Sequence, residues 1–103
     1  NFIPAKNNLA FSYHKVNDYK KSIKLFCSII DIQPNYAQAY NNLGIIYLDF
    51  ENFNKAELNF KEALRLKPDY AEAYNNYGNT LLKALIVRLG VLLAPCWLTL
   101  ALA

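Results

Sequence analysis

Apolar residues along this chain fall at helical spacing. In its central part Tyr40, Leu43, Ile46, Tyr47 and Phe50 make one stripe at i, i+3, i+6, i+7 and i+10. Glu51-Asn52 interrupts the stripe, and Phe53, Ala56, Phe60, Ala63, Leu64 and Leu66 form a second one that stops at Lys67-Pro68. Proline cannot continue a helix and disfavours helical geometry in the residue before it. The pattern therefore predicts two helices joined by a short polar break, a helical hairpin.

The hairpin is repeated. Pro34-Asn35-Tyr36-Ala37-Gln38-Ala39-Tyr40-Asn41-Asn42-Leu43-Gly44 returns at i+34 as Pro68-Asp69-Tyr70-Ala71-Glu72-Ala73-Tyr74-Asn75-Asn76-Tyr77-Gly78, with eight of eleven positions identical. The same shift backwards aligns Asn7-Asn8-Leu9-Ala10 with Asn41-Asn42-Leu43-Gly44, Tyr13 with Tyr47, Lys21 with Lys55, Phe26 with Phe60 and Pro34 with Pro68. The units run 1–34, 35–68 and 69–83, the last holding a first helix only. Gly44, Ala56 and Ala63 are small where neighbouring helices need room to approach, so larger residues there should strain the packing.

The order Tyr40, Leu43-Gly44, Tyr47, Ala56, Phe60, Ala63 and Pro68 resembles the tetratricopeptide repeat. Unit one matches it with Ala10, Ser22 and Ile29 at the small positions, and unit three through its first helix only. The resemblance implies an all-α solenoid of antiparallel hairpins whose first helices line a concave face. It also implies a protein-protein interaction module that cradles an extended peptide or partner segment.

Composition narrows the partner. The chain has 103 residues, 54% hydrophobic and 15% aromatic, with a net charge of +3 and no run of basic residues. Such a chain must pack, and it lacks the clustered cations that phosphate binding needs, so nucleic acid is not expected as a partner. Cys27 and Cys96 are far apart, and His14 is the single histidine, so no metal site is expected. Cys27 reads as a buried small residue and His14 as a solvated one without a fixed partner. No glycine-rich phosphate loop or Ser/His/acid arrangement is present, so no catalytic residue and no cofactor are expected. Asn1-Phe2-Ile3-Pro4 shows no signal peptide and reads as an internal segment of a longer polypeptide, and a cytoplasmic setting is expected.

Beyond Lys83 the repeat rule predicts a polar break and a charged second helix, but Asn, Tyr, Lys and Glu vanish and Leu and Ala take over, with Arg88 the one charge. Three readings fit residues 84–103. One is a C-terminal membrane anchor, short of the about 20 apolar residues that a span needs. Another is a divergent closing helix, although solenoid caps need a polar outer face. The third is a frame change or chimeric end of the gene. In each case exposed apolar surface favours self-association.

The candidate binding residues come from the doubled asparagines Asn7-Asn8, Asn41-Asn42 and Asn75-Asn76. Asparagine is a poor mid-helix residue, because its amide competes for the backbone, so its return at one place in each unit suggests a use. An amide donates and accepts, which suits it to the backbone of an extended peptide. The resemblance places the residue before the Leu-Gly pair in the groove, here Asn8, Asn42 and Asn76. A ladder of this kind is similar to the peptide-gripping repeats of the O-linked N-acetylglucosamine transferase family and of other transferase-associated repeat regions. The same asparagines could instead be tolerated on a solvated face or bonded between units. Phe11, Ile45 and Asn79, three residues further on, and Pro4, Gln38 and Glu72, one turn earlier, complete the face, with Tyr40 and Tyr74 expected beneath it.

A clamp for acidic C-terminal tails needs cations in this groove. Lys6 and Lys15 of unit one become Tyr40 and Asp49, then Tyr74 and Lys83, so the clamp is incomplete. Two further functions stay open at this point: the substrate-recognition arm of a larger glycosyltransferase or sulfotransferase, and a membrane adaptor tethered through residues 84–103. The remaining charges fall on second helices as a solvated face, with Glu57 and Lys61 spaced for an i, i+4 pair.

Overall fold

The computed structural model describes residues 2–102, and their side chains up to Gly90. Five helices follow one another: α1 (Ile3–Lys15), α2 (Tyr19–Ile32), α3 (Ala37–Asp49), α4 (Phe53–Leu66) and α5 (Ala71–Leu102). α1 packs on α2 and α3 on α4 as antiparallel hairpins. α2 meets α3 and α4 meets α5 between units, and α1, α3 and α5 lie side by side. This is the solenoid that the repeat period predicts.

The turn inside each hairpin is built the same way twice. Asn17 and Glu51, one repeat apart, take left-handed backbone angles, φ 64° and 59°. In the first hairpin Asn17 N–H donates to His14 O at 3.0 Å and Asp18 N–H to Tyr13 O at 2.9 Å. In the second, Glu51 N–H donates to Leu48 O and Asn52 N–H to Tyr47 O, both at 2.9 Å. These paired bonds satisfy the last carbonyls of the first helix in the Schellman manner. Asp18 and Asn52 then cap the second helix, their side chains accepting from Lys21 N–H and Lys55 N–H at 3.3 Å. One residue thus closes one helix and opens the next.

The period also explains where the turn fails. The counterparts of Asn17/Glu51 and Asp18/Asn52 in unit three are Leu85 and Ile86. Leucine resists the left-handed region and isoleucine has no oxygen with which to cap. The polar break expected after Lys83 is absent, and α5 continues as one helix of 32 residues. It does not fold back on unit three at residue 84, and Leu85, Ile86, Val87 and Leu89 are exposed on it.

Ala10, Phe26, Ile29, Ala39, Leu43 and Ile46 form the core across units one and two, and Ala56, Phe60, Ala63 and Ala73 are fully buried further on. Gly44 shows why small residues are needed: a Cβ there would lie 2.5 Å from Cε1 and 2.7 Å from Cδ1 and Cζ of Phe60. Buried Ser22 donates to Ala10 O at 2.7 Å, joining α2 to α1. Lys21 over the Tyr13 ring at 5.4 Å and Lys55 over the Tyr47 ring at 5.3 Å close the two hairpins alike. The expected pair on α4 forms, with Lys61 Nζ 3.1 Å from Glu57 Oε1.

Candidate peptide-binding groove

Residues at i, i+4, i+7 and i+11 share one face of a helix. On α1, α3 and α5 this face carries Pro4, Asn8, Phe11 and Lys15; Gln38, Asn42, Ile45 and Asp49; and Glu72, Asn76, Asn79 and Lys83. Asn8, Asn79, Gln38 and Glu72 are exposed, Asn42, Asn76 and Ile45 are half-buried, and Phe11 is exposed with Lys15 5.0 Å over its ring. All eight residues nominated from the sequence thus fall in three adjacent rows.

The doubled asparagines divide their work. Asn42 Nδ2 donates to Asn7 Oδ1 at 3.2 Å, and Asn76 Nδ2 donates to Asn41 Oδ1 at 3.1 Å. Asn7 Nδ2 in turn donates to Gln38 Oε1, and Asn41 Nδ2 to Glu72 Oε1, each at 3.4 Å. The first asparagine of a doublet therefore bridges to the next unit with both ends of its amide, and Asn41 is 1% exposed. The second donates back to the previous unit. Asn8 and Asn75 are both exposed. Bonding between units, the other reading of the doublets, is what Asn7, Asn41, Asn42 and Asn76 do; what the sequence left open is that the first asparagine of each doublet accepts, with each bond running from i to i+35, one step beyond the repeat.

Tyr40 and Tyr74 do not lie beneath the groove. Tyr40 Oη donates to Pro34 O at 3.0 Å, beside the α2–α3 linker. Burial, and then the nearby Glu62 carboxylate, push its phenol up, and Arg65 pulls the other way. Tyr74 is 54% exposed. Two residues of helix turn through more than half a revolution, which carries Tyr40 to the side opposite Asn42.

His14 is half-buried and partnered, contrary to the solvated reading. Its Nε2 lies 2.8 Å from Asp49 Oδ2, another i to i+35 contact between units. Its ring stands 6.2 Å from Phe11 and 5.6 Å from Tyr19, which in turn meets Phe50 at 4.7 Å. Asp49 is thereby engaged at one end of its row. Cys27 also departs from expectation, since it is free and exposed on α2. Its sulfur is nonetheless partly screened, and this desolvation, followed by the nearby Asp31 carboxylate, pushes the thiol up.

A cleft of about 500 Å³ opens elsewhere, between the α3–α4 turn and α5, lined by Phe50, Phe53, Ala84, Val87 and Arg88 among others. It shares no residue with the asparagine rows. Among the described residues no group of His, Cys, Asp and Glu could hold a metal ion, and no helix is long and apolar enough to cross a membrane.

A family profile described as tetratricopeptide repeat matches residues 3–69. No curated protein matches the chain in sequence. Two solved structures share its fold with a TM-score of 0.74 each. One is the first such domain of Spaghetti (RPAP3) bound to the HSP90 peptide SRMEEVD, at 17% identity over 80% of this chain; the chain spans 65% of that structure's length. The other is the second domain of Spaghetti (RPAP3) bound to the same peptide, at 18% identity over 85% of this chain and 80% of that one.

Proposed function

Because the chain belongs to the tetratricopeptide repeat family, a non-catalytic interaction module, we propose that it binds an extended segment of a partner protein along the concave face. The observation that carries this reading is the alignment of Asn8, Asn42 and Asn76 on three adjacent helices, with Phe11, Ile45 and Asn79 one turn further on. Asn42 and Asn76 each use one amide N–H on the preceding unit, which leaves a carbonyl oxygen and a second N–H on each for a ligand. A peptide backbone supplies the complementary donors and acceptors. Ile45 and Phe11 supply apolar ground for its side chains. An extended ligand loses conformational entropy on ordering, so a groove of three rows binds modestly.

The groove's charge argues for a ligand unlike the peptide held by the structural neighbours. SRMEEVD is acidic, whereas this face carries Asp49 and Glu72 beside Lys15 and Lys83. Lys6 leans toward Ser28, 3.4 Å away on α2. The preferred segment is therefore close to neutral, with its backbone read by amides.

Titrating an unbiased peptide library against the full chain, with SRMEEVD as comparator, tests this. Selected peptides should lose about tenfold in affinity on Asn79→Ala or Ile45→Asp, the worth of one hydrogen bond or apolar contact. They should be indifferent to Lys61→Ala on the outer face. Tight binding of SRMEEVD, or binding that follows Lys61 instead of Asn79 and Ile45, would refute the proposal.

A further inference from the structure

The side of α3 that receives α4 returns on α5 with nothing on it among the described residues. On α3 the receiving side is Tyr40, Gly44, Tyr47 and Leu48, all buried or half-buried. The counterparts one period on are Tyr74, Gly78, Leu81 and Leu82, with Tyr74, Leu81 and Leu82 exposed by 54%, 45% and 56%. A Cβ on Gly78 meets nothing within 4 Å, whereas one on Gly44 runs into Phe60. Because α5 does not turn at residue 85, the stripe goes on through Leu85 and Leu89, which are 52% and 47% exposed. At about 100° per residue these six positions fall within about 100° of the helix surface, the width of an apolar face that seeks a partner.

We infer that this stripe binds a second copy of the chain, α5 against α5, antiparallel about a two-fold axis between Leu81 and Leu82. That axis sets Leu81 opposite Leu82, Gly78 opposite Leu85 and Tyr74 opposite Leu89. The missing side chain at Gly78 is a hole for the facing Leu85, and each hole is matched by a knob on the same chain, as an isologous contact requires. No charge lies within the stripe. Arg88 at its border falls opposite Asn75, and Lys83 points to the groove face, so no like charges meet. A cleft of about 430 Å³ runs along the stripe between Phe53, Asn54 and Glu57 of α4 and Leu81, Ala84 and Leu85 of α5, and it seats the flank of the incoming helix. The half-exposed residues hold on the order of 500 Å² per copy, so pairing removes about 1,000 Å² in all, the lower limit for a specific interface. The dimer therefore dissociates on dilution.

Sedimentation equilibrium of the full chain tests this together with directed cross-linking. A monomer–dimer equilibrium is expected, shifted at least tenfold toward monomer by Leu85→Glu. Because Leu85 is exposed, that variant should keep its helical circular dichroism and melting temperature. Leu58→Glu, on the exposed side of α4, should leave the dimer intact. In a background with Cys27→Ser and Cys96→Ser, mixing Gly78→Cys with Leu85→Cys should give a disulfide-linked pair, and Leu85→Cys alone should not. A chain that stays monomeric at high concentration overturns the inference. So does association that survives Leu85→Glu, which would belong to another surface, and so does failure of the mixed cross-link.

Discussion

Gly44→Ala is the sharpest test of how the hairpins are packed. The new Cβ would stand 2.5 to 2.7 Å from three carbons of the Phe60 ring, where ordinary contact begins near 3.4 Å. Several tenths of an ångström must come from somewhere. Phe60 is fully buried, so its ring cannot swing aside, and α3 and α4 must part instead. Overpacking costs about 1–3 kcal/mol, and three contacts this short place Gly44→Ala in the upper half of that range, about 2–3 kcal/mol. Alanine returns about 1 kcal/mol through its helix propensity. The net expectation is a loss of about 1–2 kcal/mol, or roughly 5–15 °C in melting temperature for a domain of this size. Unit one shows that such a hairpin can be built around a methyl, since Ala10 and Phe26 are both fully buried there, so the variant should fold. Gly78→Ala is the internal control. The same substitution at the same repeat position meets nothing within the chain, and in dilute monomer should stabilise by about 1 kcal/mol. Urea and thermal denaturation followed by far-ultraviolet circular dichroism would measure both. A Gly44→Ala protein as stable as the parent, or no recovery when Phe60→Leu is added to it, would refute the packing account.

Other outcomes follow from single residues. Asn41→Ala removes both bridges from unit two to unit three and strands the Asn76 amide, so it should cost about 1–3 kcal/mol, while Asn75→Ala, exposed, should cost almost nothing in the same denaturation assay. Glu51→Asn puts a residue tolerant of left-handed geometry at φ 59° and should raise stability by up to about 1 kcal/mol; the same exchange at an exposed helical site should not. The raised Cys27 thiol holds less thiolate at neutral pH than a free cysteine, so its alkylation should be slow near pH 7 and quicken as pH rises. Asp31→Asn removes one cause and should speed alkylation at fixed pH, as read by mass spectrometry.

The two hairpins were legible because each boundary is written in residue types that local geometry demands. Pro34 and Pro68 close the second helices. Asp18 and Asn52 carry the oxygen that opens them. The three rows of the candidate groove were legible for the same reason, since a fixed period on a helix repeats a face. What a period leaves open is the distance between neighbouring copies. That Asn42 reaches back to Asn7, and that His14 finds Asp49, depends on how one unit is laid on the next, and both contacts run from i to i+35, not i+34. Tyr40 returns as Tyr74 in step with the asparagines, but its angular position, more than half a revolution from Asn42, sends it to the linker and not beneath their row. Past Lys83 the loss of polar residues was plain in the sequence, but its effect was set by two positions. Leu85 and Ile86 replace the residues that turn and cap the chain, and the helix runs on.

The turn inside each hairpin has no slack. Because Asp18 and Asn52 serve two helices at once, every backbone N–H from Val16 to Asp18, and from Phe50 to Asn52, has an assigned partner. One inserted residue would rotate the following helix by about 100°, facing Phe26 or Phe60 toward solvent and a lysine toward the core. Copying errors in this gene are therefore not equal. A whole repeat can be gained or lost with the frame of contacts intact, while a single codon slipped into either turn scrambles the half-unit after it.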